Sequence, residues 1–192
     1  MTNTFYSVHF GIISIKMISI KCEDEFLKRI ITSFLEQKNF IFKKKYLDKY
    51  FFQLNIYQEE NKLNFSIDDD EIKISLPKNN NEIFKKIYDF VSNRGIVVNN
   101  YKYFPFKQIM KKENKISFLS EIQNEIMIHL LLNLSDGIEK IELIKKIWPN
   151  DKDIFLNKLD THLTNLKNQL SKDLDFKLKF SSKSSLLKLS IY

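Results

Sequence analysis

Short hydrogen-bonding side chains occupy one side of an amphipathic segment, IWPNDKDIFLNKLDTHLTNLKNQL (Ile147–Leu170). With a turn of about 100° per residue, as in an α-helix, the leucines form one narrow stripe. This stripe contains Leu156, Leu159, Leu163, Leu166 and Leu170. The opposite side contains Asn157, Thr161, Thr164, Asn165 and Asn168, and the flanks contain Lys158, Lys167 and Lys172, with Asp160 as the exception. Solvated helices are normally built from residues such as Lys and Glu, so this polar face needs another explanation.

The asparagines and threonines have the chemistry of nucleic-acid recognition. An Asn amide can pair with an adenine edge through two hydrogen bonds, and Thr can bond a phosphate or pack on a thymine methyl group. Lysines at the margins can contact phosphates. A second interpretation stays open. The chain is rich in Lys, Asn, Ile and Phe and has no alanine. An AT-rich genome can produce that bias and place asparagine wherever polarity suffices.

A β-hairpin with a basic tip is predicted directly after this helix. Phe176, Leu178 and Phe180 alternate with lysines, and Leu187, Leu189 and Ile191 alternate with Lys188 and Ser190. The polar stretch SSKSS (Ser181–Ser185), which contains Lys183, joins the two strands. Such a hairpin has one face on a core and its lysines on the other face.

Two further helices and several short strands are predicted upstream. Ser120 and Gln123 form a capping box that begins a helix, and Gly137 ends it. Its apolar positions are Ile122, Ile126, Met127, Leu130, Leu131 and Leu134. A second helix is predicted from about Glu139 to Ile147, with Ile141, Leu143, Ile144 and Ile147 inward. The preceding strands are Ile96–Val98, Tyr101–Phe104, Gln108–Met110 and Lys115–Phe118.

These elements predict a winged helix-turn-helix over residues 94–192. It has three helices, a short antiparallel sheet before them and a β-hairpin wing after them. In this layout one helix enters the DNA major groove and the wing touches the neighbouring backbone. With a small α/β domain over residues 1–93, the predicted fold class is α+β.

Three motifs in residues 96–192 resemble the OmpR/PhoB-type effector domain of bacterial response regulators. They are Leu119-Ser120 with Gln123 for the first helix, LIKKIW (Leu143–Trp148) for the second, and KLDTHLTNLKNQL (Lys158–Leu170) for the third, with His162 in place. The resemblance implies a transcription regulator that binds double-stranded DNA, with homodimers on the DNA. It also implies that the loop Trp148–Ile154 touches RNA polymerase.

The resemblance and the helix geometry together give a set of predicted DNA-binding residues. The set is Asn157, Lys158, Thr161, His162, Thr164, Asn165, Lys167, Asn168, Lys172, Lys183 and Lys188. His162 borders the leucine stripe, and we expect it to orient the helix or touch a phosphate rather than only to pack.

Several positions depart from the family pattern. The family's arginines fall at Asn165 and Lys167, and the wing keeps one cation, Lys183, but loses its glycines and tyrosine. Glu139 takes a helix-start position where the family often has Ser. A winged-helix protein-interaction module that has lost DNA binding is therefore the alternative.

The first half is predicted to contain two helices and several strands. The helices are Glu23–Lys38, with apolar positions Phe26, Ile30, Ile31, Phe34 and Leu35, and Asn81–Val91. The strands are Met17–Lys21, Tyr50–Tyr57, Leu63–Ile67 and Glu71–Leu76, and Ser92–Gly95 is the predicted linker. Ile18–Phe42 and Ile74–Val91 are similar to the ends of a receiver domain, but too few residues lie between them for the missing units. The interpretation is a shortened receiver that is not phosphorylated, and an unrelated small α/β domain is the alternative.

Composition excludes several classes of protein. The chain has 192 residues, a formal net charge of +7 and one cysteine, so a disulfide framework and a cysteine-rich zinc site are excluded. Residues 94–192 hold 17 basic and 11 acidic side chains, against 14 and 13 in residues 1–93. This asymmetry is typical of a nucleic-acid-binding module attached to a neutral one.

No catalytic or metal site and no cofactor is predicted. His9, His129 and His162 lack ligand spacing, Cys22 has no paired His, and three glycines leave no phosphate-cradling loop. Because these residues form no catalytic pattern, we expect that the protein is not an enzyme. The sequence predicts neither a signal peptide nor a membrane span, so we expect a soluble cytoplasmic protein.

Overall fold

The N-terminal half contains both helices and strands, as the sequence predicts. The computed structural model describes residues 18–37, 52–76, 78–149, 156–183 and 185–191. The elements of the first half are β1 (Ile18–Cys22), α1 (Glu25–Gln37), β2 (Phe52–Glu59), β3 (Lys62–Ile67), β4 (Asp70–Ser75) and α2 (Asn80–Ser92). They agree with the predicted elements to within a few residues. The predicted ends at residues 17, 38, 50 and 51 lie outside the described residues.

The first four strands form one sheet in the order β1-β2-β3-β4. β1 and β2 are parallel, whereas β2–β3 and β3–β4 are antiparallel hairpins. A doubly wound domain of the receiver kind has a mostly parallel sheet, so the receiver interpretation of this half is not confirmed. Asp68 and Asp69 lie in the tight turn between β3 and β4, where Asp68 has a left-handed φ of 52°.

The helix α1 buries a narrower face than its sequence predicts. Ile31 and Leu35 are buried and Phe34 is half-buried, but Phe26 is 74% exposed and Ile30 is 36% exposed. The five apolar residues spread over a wider arc than the helix presents to the core, so part of the predicted core face meets solvent. Asp24 caps the helix, because its Oδ1 accepts hydrogen bonds from the backbone N–H groups of Phe26 and Leu27, both at 2.9 Å.

The C-terminal half begins with a small sheet and continues with three helices and a hairpin. Its elements are β5 (Ile96–Val98), β6 (Tyr101–Phe104), β7 (Ile109–Lys112), β8 (Lys115–Phe118), α3 (Glu121–Leu132), β9 (Ile138–Glu139), α4 (Lys140–Ile147), α5 (Leu156–Leu174), β10 (Leu178–Lys183) and β11 (Leu186–Ile191). β5 to β8 form an antiparallel sheet in sequence order. The predicted α+β class agrees with these helices and sheets.

The predicted capping box at the start of α3 is present. The Ser120 N–H donates to Gln123 Oε1 at 2.8 Å, and the Gln123 N–H donates to Ser120 Oγ at 3.3 Å. Two predicted positions are wrong. Leu134 lies outside α3, which ends at Leu132, and is 47% exposed, whereas Ile141, predicted to face inward, is 43% exposed in the first turn of α4.

A three-stranded sheet holds the C-terminal hairpin against the helices. Its order is β10-β11-β9, and β11 pairs with the short strand β9 in the register Leu186↔Glu139 and Leu187↔Ile138. Phe176, Leu178, Leu187 and Leu189 are buried, so the predicted apolar face of the hairpin lies on the core.

The two halves contact each other near residue 94. The rings of Phe52 and Phe106 lie 6.0 Å apart, and Lys107 Nζ donates to Asn93 Oδ1 at 2.5 Å. Arg94 lies 4.2 Å from the centre of the Phe90 ring and forms an ion pair with Asp70. A domain boundary between residues 93 and 94 stays a prediction.

His129 is buried in α3, and one of its ring nitrogens is not satisfied. Among the described residues, the Nδ1 of His129 has no hydrogen-bond partner, and the residue is 2% exposed. Burial, with a smaller effect from nearby Lys146, lowers the pKa of His129 from 6.5 to about 3. The imidazole is therefore neutral in the folded protein at any pH well above 3.

The free energy of unfolding is expected to fall as the pH drops below 6.5. In the unfolded chain His129 gains a proton near its ordinary pKa of 6.5, whereas the folded state does not until about pH 3. This difference contributes about 1.4 kcal/mol per pH unit in that window. Urea unfolding at a series of pH values measures the slope. The variant His129→Leu should have a flatter slope, and equal slopes for both proteins would contradict the assignment.

Candidate nucleic-acid interface

The helix α5 exposes the polar face that its sequence predicts. Leu159, Leu163, Leu166 and Leu170 are buried, although Leu156 at the start of the helix is 45% exposed. The exposed residues of the opposite face and its flank are Asn157, Thr161, Thr164, Asn165, Lys167, Asn168 and Lys172. Burial of the leucines therefore presents a row of amide, hydroxyl and ammonium groups to solvent. Contact between this row and DNA stays a prediction.

The threonines on this face already donate their hydroxyl hydrogens within the helix. Thr161 Oγ1 donates to the carbonyl oxygen of Asn157, and Thr164 Oγ1 donates to that of Asp160, both at 2.8 Å. In this arrangement each hydroxyl can only accept further hydrogen bonds, and each methyl group faces outward with it. The threonines are therefore suited to a base amino group or a thymine methyl group rather than to a phosphate.

The asparagines keep both donor and acceptor available. The described residues include no hydrogen-bond partner for the side-chain amides of Asn165 and Asn168, one turn apart on the exposed face. A bidentate contact with a base edge needs an amide in this state.

Lys158, His162 and Trp148 form an aromatic and cationic cluster beside α5. Lys158 Nζ lies 4.4 Å from the centre of the Trp148 ring, and the His162 ring lies 5.4 Å from the same indole. The backbone of Trp148 caps the end of α4, because its backbone N–H donates to the carbonyl oxygen of Ile144 at 2.8 Å. This cluster joins the end of α4 to the first turns of α5. Lys158, which the sequence predicted on the flank of α5, therefore lies over the Trp148 indole.

A single lysine connects α5 to the tip of the hairpin. Lys140 Nζ forms an ion pair with Asp160 at 2.7 Å, and the backbone N–H of Lys140 donates to the carbonyl oxygen of Ser185 at 3.0 Å. Ser185 Oγ also donates to the Glu139 carboxylate. The hairpin turn thus lies next to the start of α4, and Lys140 reaches from there to the polar side of α5. Sequence reasoning missed Lys140, which no periodic pattern singled out.

The cations of the hairpin are only partly defined. Lys188 is exposed, and its Nζ lies 3.5 Å from the carbonyl oxygen of Ser135. The backbone of Lys183 pairs with Leu186, but its side chain lies outside the described residues, as do residues 150–154 of the predicted polymerase-contacting loop Trp148–Ile154.

Gly137 fits tightly between the end of α3 and the hairpin. It has a φ of +79°, and a Cβ atom there would lie 2.8 Å from Lys188 Cγ and 3.0 Å from the carbonyl oxygen of Leu187. The sequence indicated only a helix stop at this position. The structure adds that a glycine is needed for β11 to approach.

Neither a cluster of metal-ligating side chains nor a helix able to span a membrane occurs in the described part of the chain. No group of three or more His, Cys, Asp or Glu side chains there could hold a metal ion. No helix among the described residues is long and apolar enough to cross a bilayer.

Known proteins of similar structure have low sequence identity to this chain. No family model and no curated protein matches it. Among solved structures, it is similar to the DNA-binding domain of CadC from E. coli, with 13% identity, a TM-score of 0.45 and coverage of 53% of this chain and 95% of that one. It is also similar to the C-terminal domain of the nisin resistance regulator NsrR, a lantibiotic response regulator, with 19% identity, a TM-score of 0.35 and coverage of 50% and 89%. These similarities leave the chemistry of this chain to be judged from its own residues.

The substitution Gly137→Ala is expected to lower the free energy of unfolding by about 1–2 kcal/mol. The cause is the left-handed backbone together with the overlap of Cβ with β11. Ser135→Ala, in the same turn but exposed, serves as the matched control and should have little effect. Urea unfolding measures both, and an equal effect of the two substitutions would show that the hairpin does not need this close approach.

Proposed function

We propose that this protein is a DNA-binding transcriptional regulator of the OmpR/PhoB type. In this proposal residues 94–192 are a winged helix-turn-helix, with α5 in the major groove and the hairpin β10–β11 on the neighbouring backbone. The observation that supports it best is the exposed Thr/Asn face of α5, connected to the hairpin tip through Lys140. The positive charge of residues 94–192 is consistent with an approach to phosphates.

The residues of α5 divide by chemistry. Asn165 and Asn168 are the candidates for reading base edges, and Thr161 and Thr164 for accepting from amino groups or packing on thymine methyl groups. Lys167, Lys172 and Lys188 are the candidates for phosphates, and Asn157 and Lys183 complete the proposed contact set with the Lys158–His162 pair.

The Lys140–Asp160 ion pair removes an obstacle to this proposal. An uncompensated carboxylate on the DNA-facing side of α5 would repel phosphates. Asp160 is 51% exposed at its side chain, but Lys140 lies 2.7 Å away and offsets its charge. Because the Lys140 ammonium pairs with this carboxylate, this part of the helix presents little net negative charge.

The N-terminal half is proposed to control the DNA-binding half without aspartyl phosphorylation. Its sheet has one parallel pair, and Asp68 and Asp69 lie in a hairpin turn rather than at the end of a parallel strand. By the resemblance noted above, the regulator binds DNA as a homodimer and touches RNA polymerase through the loop Trp148–Ile154.

A protein-interaction module that has lost DNA binding is the second candidate. The observation that favours it is the reduced number of donors on α5. Lys158 lies over Trp148, and the hydroxyl hydrogens of Thr161 and Thr164 are bonded within the helix. Retention of a stoichiometric protein partner together with salt-insensitive behaviour on a DNA column would favour this candidate.

DNA affinity is expected to fall steeply with salt. Each lysine–phosphate contact releases counterions, so removing Lys167 or Lys172 as Lys→Gln should reduce the slope of log K against log salt by about 0.9 per contact. Lys86→Gln, on an exposed position of α2, is the matched control and should leave the slope unchanged. Fluorescence anisotropy on mixed genomic duplex gives the slopes. Absence of binding at about 50 mM salt would overturn the proposal.

Base reading is expected to depend on Asn165 and Asn168. Each substitution by alanine should cost about 1–3 kcal/mol on a selected DNA site and leave binding to unrelated duplex nearly unchanged, since only base contacts carry sequence information. Asn80→Ala, at an exposed position in the first turn of α2, is the control. Equal losses on selected and unrelated DNA would assign these amides to the phosphate backbone instead.

A further inference from the structure

An apolar groove runs along the outer side of the two helices in the N-terminal half. Phe26 and Ile30 of α1 and Tyr88 of α2 line it, and they are 74%, 36% and 40% exposed. Its floor is the stacked pair Phe34–Phe84, with ring centres 4.5 Å apart and planes 11° from parallel. The groove has a volume of about 970 Å³.

The groove is unlike an ordinary solvated helix surface. Single exposed apolar residues are common on proteins, but contiguous apolar patches mark binding surfaces. Here aromatic residues of two neighbouring helices converge on one side, away from the buried residues Ile31, Leu35, Ile87 and Val91. The lining residues with the greatest exposure are not part of the buried core.

The charge around the groove is positive. Arg29 of α1 and Lys85 of α2 line it from opposite helices, and the described residues that line it include no carboxylate. Among the described residues, neither cation forms an ion pair. A molecule that fills the groove would therefore satisfy these cations best if it brought carboxylates next to an apolar surface.

Charge and shape separate the possible occupants. A second copy seated on the groove would bring its own Arg29 and Lys85 into the same apolar interface, where like charges repel. A small ligand is usually enclosed on most sides, whereas Phe26 in the wall of this groove is 74% exposed. A helix of about 10 Å diameter would cover both walls along their length, which is about 20 Å for each of these helices.

We propose that this groove binds an acidic amphipathic helix of a partner protein. Apolar residues at i, i+3, i+4 and i+7 of that helix would contact Phe26, Ile30 and the Phe34–Phe84 pair. Carboxylates beside its apolar stripe would pair with Arg29 and Lys85. The site is on the side of α1 and α2 opposite their buried residues, and it does not depend on whether residues 94–192 bind DNA.

Selection from a displayed peptide library tests the proposal on the full chain. The library consists of helices of about 20 residues with a fixed leucine stripe, in which the flanking positions vary among Glu, Gln and Lys. We expect Glu to be enriched beside the stripe. The selected peptides should bind the double variant Arg29→Gln/Lys85→Gln about tenfold more weakly, as measured by fluorescence anisotropy.

Matched controls locate the effect. Lys86→Gln, also on α2 but outside the groove lining, should bind the selected peptides like the unmodified chain, and Phe26→Ser should weaken them while leaving the thermal unfolding midpoint unchanged. Enrichment of Lys, absence of enrichment, or equal binding by the double variant would overturn the proposal. A chain that sediments as a dimer and becomes a monomer on Phe26→Ser would assign the groove to a second copy and would also overturn it.

Discussion

Burial of the leucine seam on α5 is the constraint on which the rest of the C-terminal half depends. Leu159, Leu163, Leu166 and Leu170 are withdrawn from water, each a gain of about 1.5–3 kcal/mol. Because burial of these leucines fixes the rotation of the helix about its axis, Asn165 and Asn168 face solvent. The chemical character of the surface is therefore a consequence of packing on the other side of the same helix.

The hairpin gains its position from a second, smaller set of contacts. β11 pairs with β9, Gly137 admits the close approach, and Lys140 bonds Ser185 through its backbone and Asp160 through its side chain. A partly exposed ion pair contributes little to stability. Its importance here lies in charge, because it offsets a carboxylate on the surface proposed to meet DNA, while the backbone hydrogen bond from Lys140 to Ser185 holds the turn of the hairpin beside the start of α4.

Local sequence patterns were enough to predict the helices and strands but not the contacts between them. The capping box at Ser120 and the leucine period of α5 depend on residues a few positions apart, so they could be recognised without tertiary structure. The Lys158–Trp148–His162 cluster and the Lys140–Asp160 pair join separate elements, and no sequence pattern predicts such contacts. Phe26 and Ile30 were assigned to a core face because periodicity shows which residues share a side, not how wide the neighbouring surface is. The antiparallel pairing of β2 with β3 follows from the turn that joins them, but the parallel pairing of β1 with β2 escaped prediction, since strand direction depends on connections that the alternation of residues does not encode.

The central claim is that the exposed face of α5 reads DNA sequence. Selection of genomic fragments by the full chain, compared with the double variant Asn165→Ala/Asn168→Ala, tests it most directly. The unmodified chain should enrich fragments that share a common sequence, and the double variant should retain DNA without that preference. Recovery of the same common sequence by both proteins, or no enrichment by either at low salt, would contradict it.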